Sequence, residues 1–263
     1  MAFARGSDAE IYYEVHGRGT PIVLSAGMGG NGSFWAPQLD ALASRHQVIL
    51  YDHVGTGRSA PGRRSIAGMA EDIACVLDHA GVDAAHVVGH AIGGIVGIEL
   101  ALHHPKRLRS LVVVNGWGRA DPFLRRCFEI RKQLLNQSGP QAYVRAQPLF
   151  LYPPQWISEN IAQLDAEEER ILKHFPSVAT MNQRIDMFLA FDGGARLSAI
   201  TAPTLLSSAK DDALVPAYLT RELAAAIPDA RVHEVDWGAH AFSVVTPKIF
   251  NDTLLDFCKE VDR

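Results

Sequence analysis

Short apolar runs alternate with helix-patterned segments over the first 115 residues. No other feature limits the possible folds as much. Residues 21–25 (PIVLS), 47–52 (QVILYD), 85–89 (AHVVG) and 108–115 (LRSLVVVN) read as strands. They are continuously apolar rather than alternating, as expected of strands buried on both faces of a parallel sheet. Residues 11–17 (IYYEVHG) read as an edge strand ending in a Gly turn. Between the strands, 34–44, 65–80 and 93–104 carry helical spacing. In the second of these, Ile66, Met69, Ile73, Val76 and Leu77 recur at three and four residues, and Gly81 stops the run. Pro105 ends the third.

The pattern changes after residue 115. Residues 116–196 contain no convincing strand; 123–136, 140–150, 157–175 and 179–191 all read as helices. Alternation then resumes with a strand at 204–208 (TLLSS), a helix at 219–227, a strand at 231–235 and a final helix at 247–261. The expected architecture is α/β. Segments 1–115 and 197–263 form a core with a mostly parallel central sheet and helices on both faces, and 116–196 is a helical lid inserted into it.

Composition narrows the possible partners. The 263 residues carry 25 Lys and Arg against 29 Asp and Glu, a formal charge of −4. Without a basic excess, binding to nucleic acid or an anionic membrane is not expected. The Arg63-Arg64-Ser65 cluster reads as a solvated loop. The cysteines, Cys75, Cys127 and Cys258, are odd in number, widely spaced and without a CxxC, which argues against a disulfide framework or zinc site and fits a reducing cytoplasm. The N-terminal MAFARGSD has no apolar leader core, and the charge-poor stretch 84–98 is too short to span a bilayer. A cytoplasmic protein acting on a small molecule, without metal or cofactor, is expected; a homodimer is one assembly open to it.

Four segments carry the chemistry, each just after a strand. Gly89-His90-Ala91-Ile92-Gly93 has the form G-x-A-x-G at a strand-to-helix junction. Glycines at that spacing suit a sharp turn that lifts its central residue above the sheet edge. A nucleophile elbow would place Ser, Cys or Asp there; this chain has the methyl group of Ala91. Ala26-Gly27-Met28-Gly29-Gly30 follows the second strand, where backbone N–H groups can face a developing oxyanion. The expected donors are the amides of Met28 and Ile92. A phosphate cradle is the competing reading of this loop, but no P-loop or dinucleotide fingerprint is present. Lys210-Asp211-Asp212-Ala213-Leu214-Val215-Pro216 follows TLLSS; Asp212 is the expected orienting acid, with Asp211 the competing neighbour. Trp237-Gly238-Ala239-His240 follows the last strand, and His240 is the expected general base. His46, His79 and His103 read as surface histidines. Elbow, acid, then histidine is the chain order of hydrolase triads.

These core motifs resemble the α/β-hydrolase superfamily over nearly the whole chain. Four stretches narrow the match: GHAIGGIVGIELALHHP at 89–105, VNGWGR at 114–119, RRCFEIR at 125–131 and AQPLFLYPPQW at 146–156. Together they resemble the pyrimidine-utilisation protein D family. That family is similar in carrying Ala after Gly-His in the elbow. The resemblance implies a hydrolase of a carbamate or aminoacrylate in uracil breakdown, with the family's acid and histidine at Asp212 and His240.

Ala91 excludes an acyl-enzyme at that residue. Neither Ser25, which reads as lying at the wrong strand end, nor Cys127, which reads as a small lid hydrophobe, substitutes for it. The expected mechanism is a water deprotonated by His240, which Asp212 orients, attacking a labile carbon while the Met28 and Ile92 amides hold the negative charge. Trp117, Arg119, Phe123, Gln147, Tyr152 and Trp156 in the helical segment are candidate substrate contacts. Two rivals remain open. One is a serine esterase or C–C hydrolase carrying an engineered Ser-to-Ala change. The other is a hydrolase fold that binds a ligand without turning it over.

Overall fold

The computed structural model describes residues 2–6 and 9–263; Met1, Ser7 and Asp8, part of the N-terminal run read above for a leader, lie outside them. Eight strands form one sheet: β1 Ala2–Arg5, β2 Glu10–His16, β3 Thr20–Ser25, β4 His46–Tyr51, β5 Ala85–His90, β6 Leu108–Val114, β7 Thr204–Ala209 and β8 Arg231–Val235. Their order is β1-β2-β4-β3-β5-β6-β7-β8. The first two pairings are antiparallel and the rest parallel.

The edge differs from the expectation. β2 is not the outermost strand; β1 pairs outside it, Phe3 opposite Tyr12 and Ala4 opposite Ile11. Four residues with one buried side chain, Ala4, leave too short a pattern to read as a strand. The N-terminal hairpin therefore covers the β2 edge.

The helices are α1 Ala36–Ala43, α2 Ile66–His79, α3 Ile92–His103, α4 Pro122–Ala146, α5 Pro148–Leu151, α6 Pro154–Glu159, α7 Ile161–Lys173, α8 Val178–Leu189, α9 Ala217–Ala226, α10 Phe242–Val245 and α11 Pro247–Val261. Successive strand residues feed opposite layers, which explains the continuous apolar runs. Ile22, Leu24, Val88, Val112 and Val114 pack with Trp35, Leu42, Phe250 and Leu254 on the α1/α11 side. Val23, Ile49, Val87, Leu111 and Val113 pack with Ile73, Leu77, Ile95 and Leu223 on the other. In α3 every residue from Ile92 to Ala101 is buried, including Glu99, so this helix shows no amphipathic stripe.

Between β6 and β7 the chain is helical from α4 to α8. The two helices expected over 123–136 and 140–150 are one element, α4, interrupted at Gly139 (φ 83°, ψ 179°) before Pro140. The expected helix at 157–175 breaks at Asn160, where α6 gives way to α7. Leu124, Phe128, Leu135, Tyr143 and Val144 of α4 join Met181, Ile185 and Phe188 of α8 and Trp117 in one apolar layer. That layer is continuous with the core beneath the strand ends. Among the described residues, no helix is long and apolar enough to cross a membrane.

Candidate active site

β5 turns into α3 through Ala91, at φ 49° and ψ −110°. A non-glycine residue at positive φ is strained by about 1–3 kcal/mol and persists only where its surroundings enforce it. Here they do. A Cβ on Gly89 would lie 2.1 Å from the Gly93 carbonyl carbon, and one on Gly93 would lie 2.2 Å from the Ser25 carbonyl oxygen. The Ala91 amide donates to the Val114 carbonyl at 2.8 Å. The turn is fixed by its packing against β3 and β6.

Four other strand ends meet around Ala91. Asp212 lies in the turn after β7 and His240 in the turn after β8. They are 4% and 3% exposed, and His240 Nδ1 lies 2.8 Å from Asp212 Oδ2. Facing a carboxylate, Nδ1 carries the proton, which leaves the lone pair on Nε2. Nε2 has no partner among the described residues. Asp212 is held from three further directions. Its Oδ1 accepts the amides of Leu214 at 2.8 Å and Val215 at 2.9 Å, and its Oδ2 also accepts the Asn115 side-chain amide. Asn115 follows β6 and sits at φ 51°.

Asp211 has a different task from its neighbour. Its carboxylate accepts the amides of Gly238 at 3.1 Å and Ala239 at 2.9 Å. It therefore clamps the turn that carries His240 without touching the imidazole. Gly238, at φ 131°, has no room for a side chain, because a Cβ would lie 2.6 Å from that of Phe242. His90, just before Ala91, places Nε2 2.8 Å from the His240 carbonyl. A carbonyl only accepts, so His90 is protonated on Nε2. Burial holds its pKa down to about 3, so it stays neutral.

On the opposite side of the elbow lies the turn after β3. The amides of Met28 and Ile92 donate to no acceptor among the described residues. Both residues line a crevice of about 360 Å³, including its solvent-open mouth. His53, Arg63 and Arg64 line it too, together with Arg184 and Met187 from α8. Burial holds the His53 pKa down to about 3, with the Arg184 charge adding to the effect. Arg184 Nη2 donates to the Val54 carbonyl and the Thr56 hydroxyl, both at 3.0 Å, pinning α8 to the loop after β4.

Several expectations need revision. Ser25 stands at the carboxyl end of β3 beside Gly89, the same end as the elbow, but its buried hydroxyl is engaged by Tyr51 OH at 2.7 Å and His53 Nε2 at 3.3 Å. His46 is buried, not on the surface, with Nδ1 3.1 Å from the Thr20 carbonyl. Its neighbours Arg45 and Gln47 are less buried, so local sequence gave no warning. Trp117 is buried in the apolar layer, edge-on to Phe188 at 5.7 Å. Tyr152 and Trp156 stack on each other at 4.4 Å, and Gln147 caps α4. Arg119 is exposed, its backbone in an isolated antiparallel β-bridge with that of Asp192, and Phe123 is 44% exposed on the first turn of α4. Neither lines the crevice shared by Met28 and Ile92. Sequence reasoning did not single out Asn115, which holds Asp212, or the clamp that Asp211 makes on the His240 turn. The signal for Asn115 was its place directly after a buried strand.

Comparisons with known proteins agree with this architecture. A family model described as alpha/beta hydrolase fold matches residues 20–245. A protein of Azorhizobium caulinodans named "Putative carbamate hydrolase RutD" is 66% identical over all of this chain and all of its own length. One of the same name from Caulobacter vibrioides is 51% identical over 94% of each chain. Among solved structures, the enol-lactonase of Burkholderia xenovorans LB400 superposes with a TM-score of 0.89 at 24% identity, covering 98% of this chain and all of the other, a likeness of fold. The chain is a hydrolase of the α/β-hydrolase fold family and belongs, within it, with the pyrimidine-utilisation protein D relatives.

Proposed function

We propose that this hydrolase cleaves a small, labile carbamate or aminoacrylate-type substrate in pyrimidine catabolism, using water as the direct nucleophile. The observation that carries the reading is the His240–Asp212 pair at 2.8 Å, its Nε2 unengaged, beside an elbow that keeps its strained backbone with a methyl group at the tip. The names of the 66% and 51% identical relatives support the carbamate side of it.

His240 Nε2 takes a proton from a water lodged beside the Ala91 methyl. The water oxygen bonds to the carbamate carbon, or to the nitrogen-bearing carbon of the aminoacrylate in its imine form. With a carbamate, the Met28 and Ile92 amides hold the charge that develops on oxygen. With an imine, the imidazolium protonates the nitrogen as the oxygen bonds, and the resulting carbinolamine gives its hydroxyl proton to His240. The imidazolium then returns its proton to nitrogen, the C–N bond breaks, and ammonia leaves. Asp212 stabilises the imidazolium and fixes its tautomer, as the acid of a serine triad does. The helical insert 116–196 acts as a lid over this chemistry.

General-base assistance contributes about 10²- to 10⁴-fold. That is modest beside the acceleration a stable amide needs and adequate for compounds that already hydrolyse readily in water. Ammonia release by His240→Ala tests the reading. A loss of about 10²-fold or more is expected, and unchanged turnover would refute it.

A further inference from the structure

The apolar row of α4 contains one charged residue. Leu124, Phe128, Arg131 and Leu135 follow each other at spacings of four, three and four, and all four are buried. Arg131 is 3% exposed. Its guanidinium lies over the rings of Phe128 at 4.6 Å and of Tyr143 and Phe150 at 5.2 Å. Its one hydrogen bond runs from Nη2 to the Tyr143 hydroxyl at 3.2 Å. Among the described residues no carboxylate pairs with it, and its Nε and Nη1 donate to no acceptor. A cation taken out of water is costly unless an anion or several acceptors face it. Three ring faces recover part of that cost. A hydrophobic residue of similar size would fill the same row without it.

The guanidinium is also placed toward the site. Tyr143 OH, which holds Arg131, approaches Met28 Sδ at 3.8 Å, so this side touches the oxyanion turn. Phe150 belongs to α5, which packs on the turn Ala239–Ala241 that carries His240. Arg131 thus stands between the segment offering free amides and the segment offering the base.

We propose that Arg131, oriented by Tyr143, is the carboxylate anchor of the active site, binding a carboxylate group of the substrate remote from the carbon that water attacks. The inference rests on the water-attack reading above and narrows its substrate: a molecule whose carboxylate is not its reacting centre, as in an enamino acid. Of its five N–H groups one is engaged, and the second Nη2 N–H with its Nε or Nη1 neighbour leaves a planar edge that suits a carboxylate, with which it forms paired charge-assisted hydrogen bonds. Burial draws the Arg131 pKa below its ordinary value, but arginine retains its proton throughout the physiological range.

The test uses crotonate and crotonamide, a charged and a neutral ligand of matched shape, titrated by ligand-observed NMR against the whole chain. The wild type is expected to bind crotonate about 10- to 100-fold more tightly than crotonamide, the range set by charge-assisted hydrogen bonds. Arg131→Met should bind the two equally, and Arg131→Lys should keep part of the preference. If Arg131→Met does not fold, Arg131→Gln, which removes the charge and keeps hydrogen-bonding capacity, replaces it. A wild type that does not distinguish the two ligands overturns the anchor, as does a neutral variant that still prefers crotonate. No turnover is needed for this readout. A preference abolished in the neutral variant therefore establishes the anchor even if His240→Ala shows the water-attack reading to be wrong.

Discussion

Replacing Asp212 by Asn tests the site with little change of shape, and its consequence can be worked out atom by atom. The two carboxylate oxygens face four donors: the Leu214 and Val215 amides on Oδ1, and His240 Nδ1 with the Asn115 side chain on Oδ2. The two backbone amides cannot move, so the carbonyl oxygen of the new amide must take the Oδ1 position. Its NH₂ then faces Asn115 and His240. Asn115 can respond, because its own Oδ1 is buried and unpartnered and can accept after an amide flip. His240 can respond only by becoming an acceptor at Nδ1, which moves its proton to Nε2, the atom that must receive the proton from water. The substitution therefore removes the general base in full while leaving the hydrogen bonds countable. We expect turnover to fall about 10²- to 10⁴-fold, or about 3–5 kcal/mol of barrier. Stability should fall by only about 1–3 kcal/mol, the cost of exchanging charge-assisted for neutral hydrogen bonds. Ammonia release and urea denaturation measure the two quantities on one preparation. In a His240→Ala background, Asp212→Asn should cost no further activity, because the two residues act as one unit. Activity within threefold of wild type would refute the reasoning, and so would two losses that multiply.

The remaining predictions concern the scaffold. Asp211→Ala frees the Gly238 and Ala239 amides and should lower turnover about tenfold or more through the misplaced His240 turn, with substrate binding little changed; steady-state kinetics reads this as a fall in kcat at constant KM. Gly93→Ala places a methyl 2.2 Å from a backbone carbonyl oxygen that cannot retreat, so a loss of about 3 kcal/mol or more is expected in urea melts. His53 and His90 are held neutral down to about pH 3 and His86 to about pH 4, whereas in the unfolded chain each takes a proton near pH 6.5. Between these limits the unfolded chain binds more protons, so stability is full above pH 6.5 and falls as pH drops below it. The slope approaches about 1.4 kcal/mol per pH unit for each histidine, and melts from pH 7.5 to 4.5 that show no such slope would contradict the burial.

Much of the fold was legible because its signals are local. A strand buried on both faces has to be apolar at every position, so residues 21–25, 47–52, 85–89 and 108–115 could be placed within a residue or two. Gly89 and Gly93 could be read as an elbow because only glycine fits where two backbones meet. β1 was not legible, since a four-residue strand with one buried side chain has no period. His46 was misjudged because its burial depends on β3 beside it, twenty or more residues away in sequence.

For the site, the sequence by itself determined the residue types and their order: Ala91 at the elbow, an acid pair after β7, and a histidine after β8. It favoured Asp212 over its neighbour Asp211 without assigning either a contact, since the two are adjacent in one turn and share one chemistry. The tertiary structure separates them, because β7 and β8 pair in a register that brings the His240 ring to Asp212 and the His240 backbone turn to Asp211. The same holds for Arg131. Its place in an apolar row was written in the sequence, but a buried cation acquires meaning only from its neighbours, and those come from α4, α5 and the Met28 turn, brought together by the packing of the insert on the core. Residue spacing determines local conformation and which face of an element is apolar. Which charges meet depends on contacts between segments far apart in the chain, and only the folded structure supplies those.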